Sequence, residues 1–262
     1  MKTILHVDNI SKAYGDFWAV SEVSLSLKEG QLVALIGPNG AGKTTTFNMI
    51  GGQTKANQGH VWFIRPEQGD RVDLLVRRSD EICALGIGRT FQIAEIFSSL
   101  TVIENVQLAL QAAQHKRLSL FNRSHHDLQA EAKDLLDALE MGEHAHQAAS
   151  EIAYGDVKRL ELAMALAHQP RLLLMDEPAA GMSPTERIAM MALTKKLAQQ
   201  RNMAVLFTEH SMDVVFGFAD EIIVMAAGRI IAKGTPDEIR SNPTVQAVYL
   251  GSTVIEERSS GS

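Results

Sequence analysis

At 262 residues the chain is near the size at which one core stops growing, so one globular unit with two lobes is expected. Hydrophobic residues make up 45% and charged residues 21%, and a net charge of −6 without a local basic stripe leaves nucleic acid no electrostatic footprint. The lone Cys83 excludes an intrachain disulfide, fits a reducing compartment and reads as a small buried hydrophobe, and no apolar run approaches the ~18 residues needed to span a membrane.

The N-terminal apolar run is broken at His6 and Asp8, so no signal peptide is expected. Residues 3–10, TILHVDNI, alternate as a strand, and residues 11–15 read as a turn carrying one aromatic, Tyr14. Tyr14 is either an ordinary strand or loop tyrosine or a platform for a nucleobase; taken alone it does not choose. Val20 to Leu27 alternates again, and Glu29-Gly30 turns the chain into a run of five apolar residues, Leu32 to Ile36, read as a fully buried strand.

Next comes Gly37-Pro38-Asn39-Gly40-Ala41-Gly42-Lys43-Thr44, which fits the phosphate-binding pattern G-x-x-x-x-G-K-[ST] between a buried strand and a helix. Gly37, Gly40 and Gly42 let the backbone aim its N–H groups at phosphate oxygens, and a side chain there is expected to obstruct that wrap. Lys43 supplies a positive charge to the β- and γ-phosphates, Thr44 offers a hydroxyl to Mg²⁺, and the helix opening there points its positive end at the same anion. The nucleotide contacts expected of this stretch run through Ala41 to Thr45.

A polar loop, 54–59, leads into another strand, 59–64, so an antiparallel sheet flanks the nucleotide core. Residues 84–92 form a short apolar segment ending in Gln92. From Thr101 to Ala167 the periodicity is helical: Thr101 and Glu104 form a capping box for a helix to about His115, with further helices near 128–139 and 157–167. His125, His126, His144 and His146 lie at the ends of these helices, where zinc is conceivable, but no carboxylate or thiolate sits at ligand spacing and solvated histidines are the expectation.

Arg171 to Pro178 returns to the core as a buried parallel strand ending in two carboxylates, Asp176 and Glu177. Strand alternation is expected to point them differently, one toward water-bridged Mg²⁺ and the other toward an attacking water. Ser183-Pro184-Thr185-Glu186 caps another helix, 204–208 is the next buried strand, and Glu209-His210 sits at its end, where His210 is either a loop histidine or a γ-phosphate contact. Residues 222–226 and 229–232 read as a hairpin turning at Ala227-Gly228, Thr235 caps a terminal helix, and the tail after Gly251 reads as disordered.

The order of these motifs, with Ala153-Tyr154-Gly155-Asp156 closing the helical insert ahead of LLLMDEP, resembles the ATP-binding subunit of an ABC transporter across Ile4 to about Gly251. The strings GRTFQ, LTVIENV, AYGDVKRLELA, DEPAAGMSPTE, KGTPDEI and NPTVQAVYLG look like the LivG-type ATPase of branched-chain amino-acid importers, whose relatives also import urea, amides and aromatic acids. The resemblance implies an α/β, P-loop NTPase fold of the ABC ATPase type, with a RecA-like core, an antiparallel β subdomain and a helical subdomain. Residues 1–251 are then one ABC ATPase domain: core and β subdomain 1–91 and 168–235, helical subdomain 92–167, C-terminal helix 236–251, and a flexible tail 252–262. It makes Tyr14 the adenine-stacking residue, Gln92 the residue sensing Mg²⁺ and attacking water, Asp176 a metal ligand with Thr44, Glu177 the catalytic base, His210 the switch histidine, and Ala153, Tyr154 and Gly155 the signature segment.

The resemblance further implies ATP and Mg²⁺ as ligands, permease subunits in the membrane, and a second ATP-binding subunit, LivF-type or a second copy, in a head-to-tail dimer. A periplasmic solute-binding protein is implied indirectly, with this subunit peripheral on the cytoplasmic face of the membrane. Three positions depart from the general pattern: Ala153 in place of the signature serine, Asp156 in place of glutamine, and Ser183 where the D-loop usually has aspartate. The alanine is common in LivG-type proteins; Asp156 near a phosphate brings like charges together. Ile93, Ile96 and Phe97 beside Gln92 are the expected docking surface for the permease, or else insert core. A soluble ABC ATPase of DNA repair or translation is the alternative, but it usually carries a coiled-coil insert or two cassettes; a small-molecule kinase leaves Gln92, His210 and the AYGD segment idle.

Overall fold

The computed structural model describes residues 2–65, 69–90, 96–116 and 125–248. The first half of the chain contains β1 (Thr3–Tyr14), β2 (Phe17–Lys28), β3 (Leu32–Ile36), α1 (Lys43–Ile50), β4 (Gln58–Arg65), β5 (Asp70–Asp73), α2 (Ser79–Ala84) and β6 (Ile87–Thr90). Helices α3 (Val102–Lys116), α4 (His125–Ala138) and α5 (Tyr154–Leu166) follow. The chain then alternates through β7 (Leu172–Asp176), α6 (Pro184–Arg201), β8 (Ala204–Thr208) and α7 (Met212–Phe218) before β9 (Glu221–Ala226), β10 (Arg229–Gly234) and α8 (Pro236–Arg240).

Two sheets result. One is antiparallel, in the order β2-β1-β4-β5; the other has six strands, β10-β9-β3-β8-β7-β6, all parallel except β10. In the second sheet β3, β7 and β8 are buried along their whole length, which is why they read as uninterrupted apolar runs. Successive residues serve different cores. Val33, Leu35, Leu172, Leu174 and Leu206 pack toward α1 and the antiparallel sheet, whereas Leu32, Ala34, Ile36, Leu173 and Phe207 pack toward α3 to α6. The phosphate-loop strand is thus clamped on both faces, and its C-terminal end cannot shift without disturbing both cores.

The structure departs from the sequence expectations at several places. Residues 11–14 are strand rather than turn: Asn9, at φ 51, makes a bulge whose backbone N–H donates to Ser24 Oγ, and β1 resumes pairing through Ser11 with Gln58 and Tyr14 with Phe17. The actual turn is Gly15-Asp16, with Gly15 at φ 60. The C-terminal helix expected over 236–251 is broken: α8 ends at Arg240, and Asn242 Oδ1 accepts from Thr244 N (2.9 Å) to open a separate helical stretch, 243–248. Strand β5, helix α2 and helix α7 were not anticipated at all. Gln92, Ile93 and the tail 252–262 lie outside the described residues. No described helix is long and apolar enough to cross a membrane.

Candidate nucleotide site

The loop from Gly37 to Gly42 leaves β3 and enters α1 under tight backbone constraints. A Cβ at Gly37 (φ 154) would sit 2.2 Å from Met225 O, and one at Gly42 (φ 98) 2.5 Å from Ala19 O. These two glycines are therefore demanded by protein backbone behind the loop, in β9 and β2. Gly40 (φ 76) instead faces open space, so of the three it is the one whose missing side chain serves the cleft directly. The hairpin turn Ala227-Gly228, with φ 47 and 76, braces the loop from behind through Gly228 N–H to Ala41 O (3.1 Å).

Lys43 is buried, and its Nζ donates to Gly37 O (2.7 Å) and Pro38 O (3.1 Å), the loop's own carbonyls. Burial lowers its pKa, while Glu177 and Asp176 nearby act in the opposite sense. An anion in the loop would satisfy this ammonium better than neutral carbonyls do. The loop and its surroundings form a cleft of about 380 Å³ lined by Asn39 to Thr45, by Tyr14, Phe17 and Ala19 on one side, and by Glu177 and His210 on the other. Tyr14 and Phe17 are paired across the Gly15-Asp16 turn and are 54% and 66% exposed, so two aromatic faces stand at the cleft rim.

At the ends of β7 and β8 the acidic pair is organised by Thr208. Its Oγ donates to Asp176 Oδ1 (2.7 Å) and accepts from Glu177 N–H (3.0 Å). Asp176 is buried, with Arg89 Nη2 3.9 Å from its Oδ2. Glu177 is not the next residue of a regular strand: at φ 49 it occupies the left-handed region, and this turn, rather than strand alternation, separates the two carboxylates. Glu177 Oε1 then meets His210 Nε2 at 2.9 Å. Glu209, buried beside it, accepts from Ala179 N–H (2.9 Å) and His210 N–H (3.1 Å), fixing the loops after β7 and β8 to one another.

Of the residues singled out by sequence, the structure brings together Tyr14, the loop, Glu177 and His210 around one cleft, with Asp176 buried behind it. Pro38 and Gly37 shape the loop without lining the cleft. Gln92 is outside the described residues. Ala153, Tyr154 and Gly155 are not in the cleft: Ala153 is the N-cap of α5, with no side-chain capping bond, Tyr154 is exposed against Gly181, and Gly155 is buried beside Glu186. The carboxylate of Asp156 lies 3.9 Å from His144 Nε2.

Phe17, Thr208, Glu209 and Arg89 were missed by sequence reading. Phe17 had a signal, being the second aromatic across a two-residue turn, but misplacing the turn hid it. Cys83 is half-buried, not fully buried as expected, and its Sγ is 3.5 Å from His168 Nδ1. Among the described residues no group of three or more His, Cys, Asp or Glu could hold a metal, so the zinc possibility has no support there; the side chains of His125 and His126 lie outside that description. Mg²⁺ fits the residues present: Thr44 and Asp176 offer hard oxygen donors without an all-protein cage, as expected for an ion bound largely through nucleotide phosphates and water.

A family model described as "ABC transporter" matches residues 20–180, and one described as "Branched-chain amino acid ATP-binding cassette transporter" matches residues 229–255. The chain is 38% identical over 95% of its length to the high-affinity branched-chain amino acid transport ATP-binding protein LivG of Salmonella typhimurium, covering 98% of that protein. It is 37% identical over 95% of its length to BraF, a protein of the same description from Pseudomonas aeruginosa, covering 98% of it. Among solved structures, the ADP conformation of an ATP-binding cassette of an ABC transporter superposes with a TM-score of 0.83 at 30% identity, covering 96% of this chain and 100% of that one. A dimeric cassette in a post-hydrolysis state, bound to ADP and Pi, superposes with a TM-score of 0.75 at 26% identity, covering 89% of this chain and 99% of that one.

Proposed function

The chain belongs to the ABC transporter family as one of its ATP-hydrolysing subunits, and from that premise we propose that it powers import of branched-chain amino acids or a chemically related small solute. The observation that carries the ATPase assignment is the single cleft joining the phosphate loop, Glu177 and His210. The solute class rests on the relatives' descriptions and on the family match at residues 229–255.

In the proposed reaction Tyr14 and Phe17 hold the adenine, and backbone N–H groups from Asn39 to Thr45 with Lys43 hold the phosphates. Water attacks the γ-phosphorus as the bond to the β-bridging oxygen breaks, Glu177 takes the water's proton, and ADP and phosphate are the products. His210, bonded to Glu177, orients that carboxylate and stands ready to meet the γ-phosphate. Thr44 and Asp176, with Gln92 as a further candidate ligand, would hold Mg²⁺, which when bound neutralises charge on the β- and γ-phosphates. Most of the acceleration required of the chain is positioning and electrostatic stabilisation.

Ala153 to Gly155 stand outside the cleft, so they are assigned to the nucleotide of a second ATPase subunit in a head-to-tail dimer, with the N-terminus of α5 aimed at phosphate. The second subunit is LivF-type or another copy. The permease surface is assigned to a cleft of about 340 Å³ beside β6, where Phe97 and Leu108 are exposed among Ala109, Ala112 and Met164. Of the residues expected there from sequence, Ile96 is half-buried against the core and Phe97 is exposed, while Ile93 lies outside the described residues. Docking there places the subunit at the cytoplasmic face of the membrane, served from the far side by a solute-binding protein.

The site assignment is tested by Lys43→Ala. Nucleotide binding and phosphate release should both collapse, because Lys43 is the buried cation of the loop. Full ATPase activity in that variant would refute it.

A further inference from the structure

We propose that Arg89 is a tethered counter-cation for Asp176, which keeps the carboxylate charge-balanced when the nucleotide is absent and thereby prevents divalent metal from occupying the site before ATP arrives. The inference rests on Asp176 being the metal carboxylate.

The geometry has two parts. Asp176 uses one oxygen, Oδ1, to accept from Thr208, which leaves Oδ2 as its free donor atom, and Arg89 Nη2 faces that oxygen at 3.9 Å. At that separation the pair is electrostatic contact without a direct hydrogen bond, so a metal or its water can take Oδ2 without breaking one. Both side chains are nearly buried, at 13% and 11% exposure, where a charge pair is screened little.

The guanidinium itself is anchored independently of Asp176. Its Nη2 donates to Asn48 Oδ1 (2.8 Å), and Nη1 contacts Gln53 Oε1 and Phe47 O at the C-terminal end of α1. Carbonyl oxygens at a helix C-terminus attract a cation, which explains why Arg89 stays in place when Asp176 is not bonded to it. Burial lowers its pKa, and Asp176 acts in the opposite sense. Arg89 sits in β6 opposite Leu174 of β7, so its backbone is fixed by the same sheet that carries Asp176.

A fixed positive charge beside the ligand oxygen opposes a divalent cation, while ATP brings enough negative charge to overcome that opposition. Metal then enters with nucleotide and leaves with ADP. Arg89 is thus a positioning and tuning residue, not one that touches the reacting atoms.

The test is binding of Mn²⁺ alone to the full-length protein without nucleotide, followed by electron paramagnetic resonance of the free ion. Arg89→Gln removes the charge and keeps polar contacts to Asn48 and Gln53; it should bind Mn²⁺ at least ~10-fold more tightly than the unmutated chain, as expected for deleting a buried like charge. Arg89→Lys, which keeps a cation, should retain the weak binding. Asn48→Ala loosens the tether and should tighten binding by a smaller factor, which serves if Arg89→Gln does not fold. Mn²⁺ affinity unchanged or weakened in the folded Gln variant would overturn the proposal. A gain that persists in the Arg89→Gln, Asp176→Asn double variant would instead remove Asp176 as the metal carboxylate, and the proposal with it.

Discussion

Tyr14 and Phe17 show how a residue's role depends on a turn being placed correctly. With β1 running to Tyr14 and β2 starting at Phe17, both rings stand over the cleft, and Lys12 Nζ lies 5.2 Å from the Tyr14 ring centre. Replacing either by alanine should weaken adenine-nucleotide binding, and for Tyr14→Ala the loss should be about 1–3 kcal/mol, the range for a base on an aromatic platform. Fluorescent-nucleotide titration decides; if Phe17→Ala alone weakens binding, the platform is Phe17. Thr208 is a second case. Thr208→Val keeps the shape but strips Asp176 Oδ1 and the Glu177 N–H of their shared partner, so urea denaturation should show a loss of about 1–3 kcal/mol and phosphate release should slow. Neither changing would make Thr208 a bystander. The phosphate loop, Asp176, Glu177 and His210 were legible because their residue types and order are chemical requirements. Thr208, Glu209 and Arg89 were not, because each acts through a partner from a distant part of the chain, and local sequence records no such partner.

Among the elements, the helices with capping boxes were the easiest to place, since Ser183 with Glu186, Thr101 with Glu104 and Thr235 with Glu238 each satisfy one another's N–H groups as their spacing implies. In each box the glutamate pKa is lowered; for Glu186 the causes are the Ser183 side-chain bond first and its backbone bond second. A carboxylate whose folded pKa lies below its unfolded one stabilises the fold above the unfolded value and loses that contribution as pH falls through the folded one. Glu186→Gln should therefore be less stable than the unmutated chain at neutral pH, with the difference closing below the ordinary carboxylate range. Thermal melts at a series of pH values would show it, and a difference independent of pH would contradict it. Buried strands β3, β7 and β8 were equally plain as short apolar runs. What escaped was polar or irregular: β5 alternates little, α2 is six residues long, and the Asn9 bulge interrupts the pattern of β1 where the chain continues as strand.

Across the whole molecule, the cleft and the N-terminus of α5 are separate parts of one chain, and we assign them to two different nucleotides in a pair of subunits. The division into a core with β subdomain, 1–91 and 168–235, and a helical unit, 92–167, stays our reading of the chain. The central claim is that Glu177 is the base whose loss traps ATP between two subunits. Glu177→Gln preserves size and hydrogen-bonding capacity but cannot accept the proton. Measured with its partner ATPase or in the membrane-assembled complex, by phosphate release together with size-exclusion chromatography in MgATP, the variant should bind ATP, hydrolyse it at least ~100-fold more slowly and accumulate as an ATP-bound dimer. Hydrolysis at the unmutated rate would contradict the account and leave Asp176 and Glu177 as metal ligands alone.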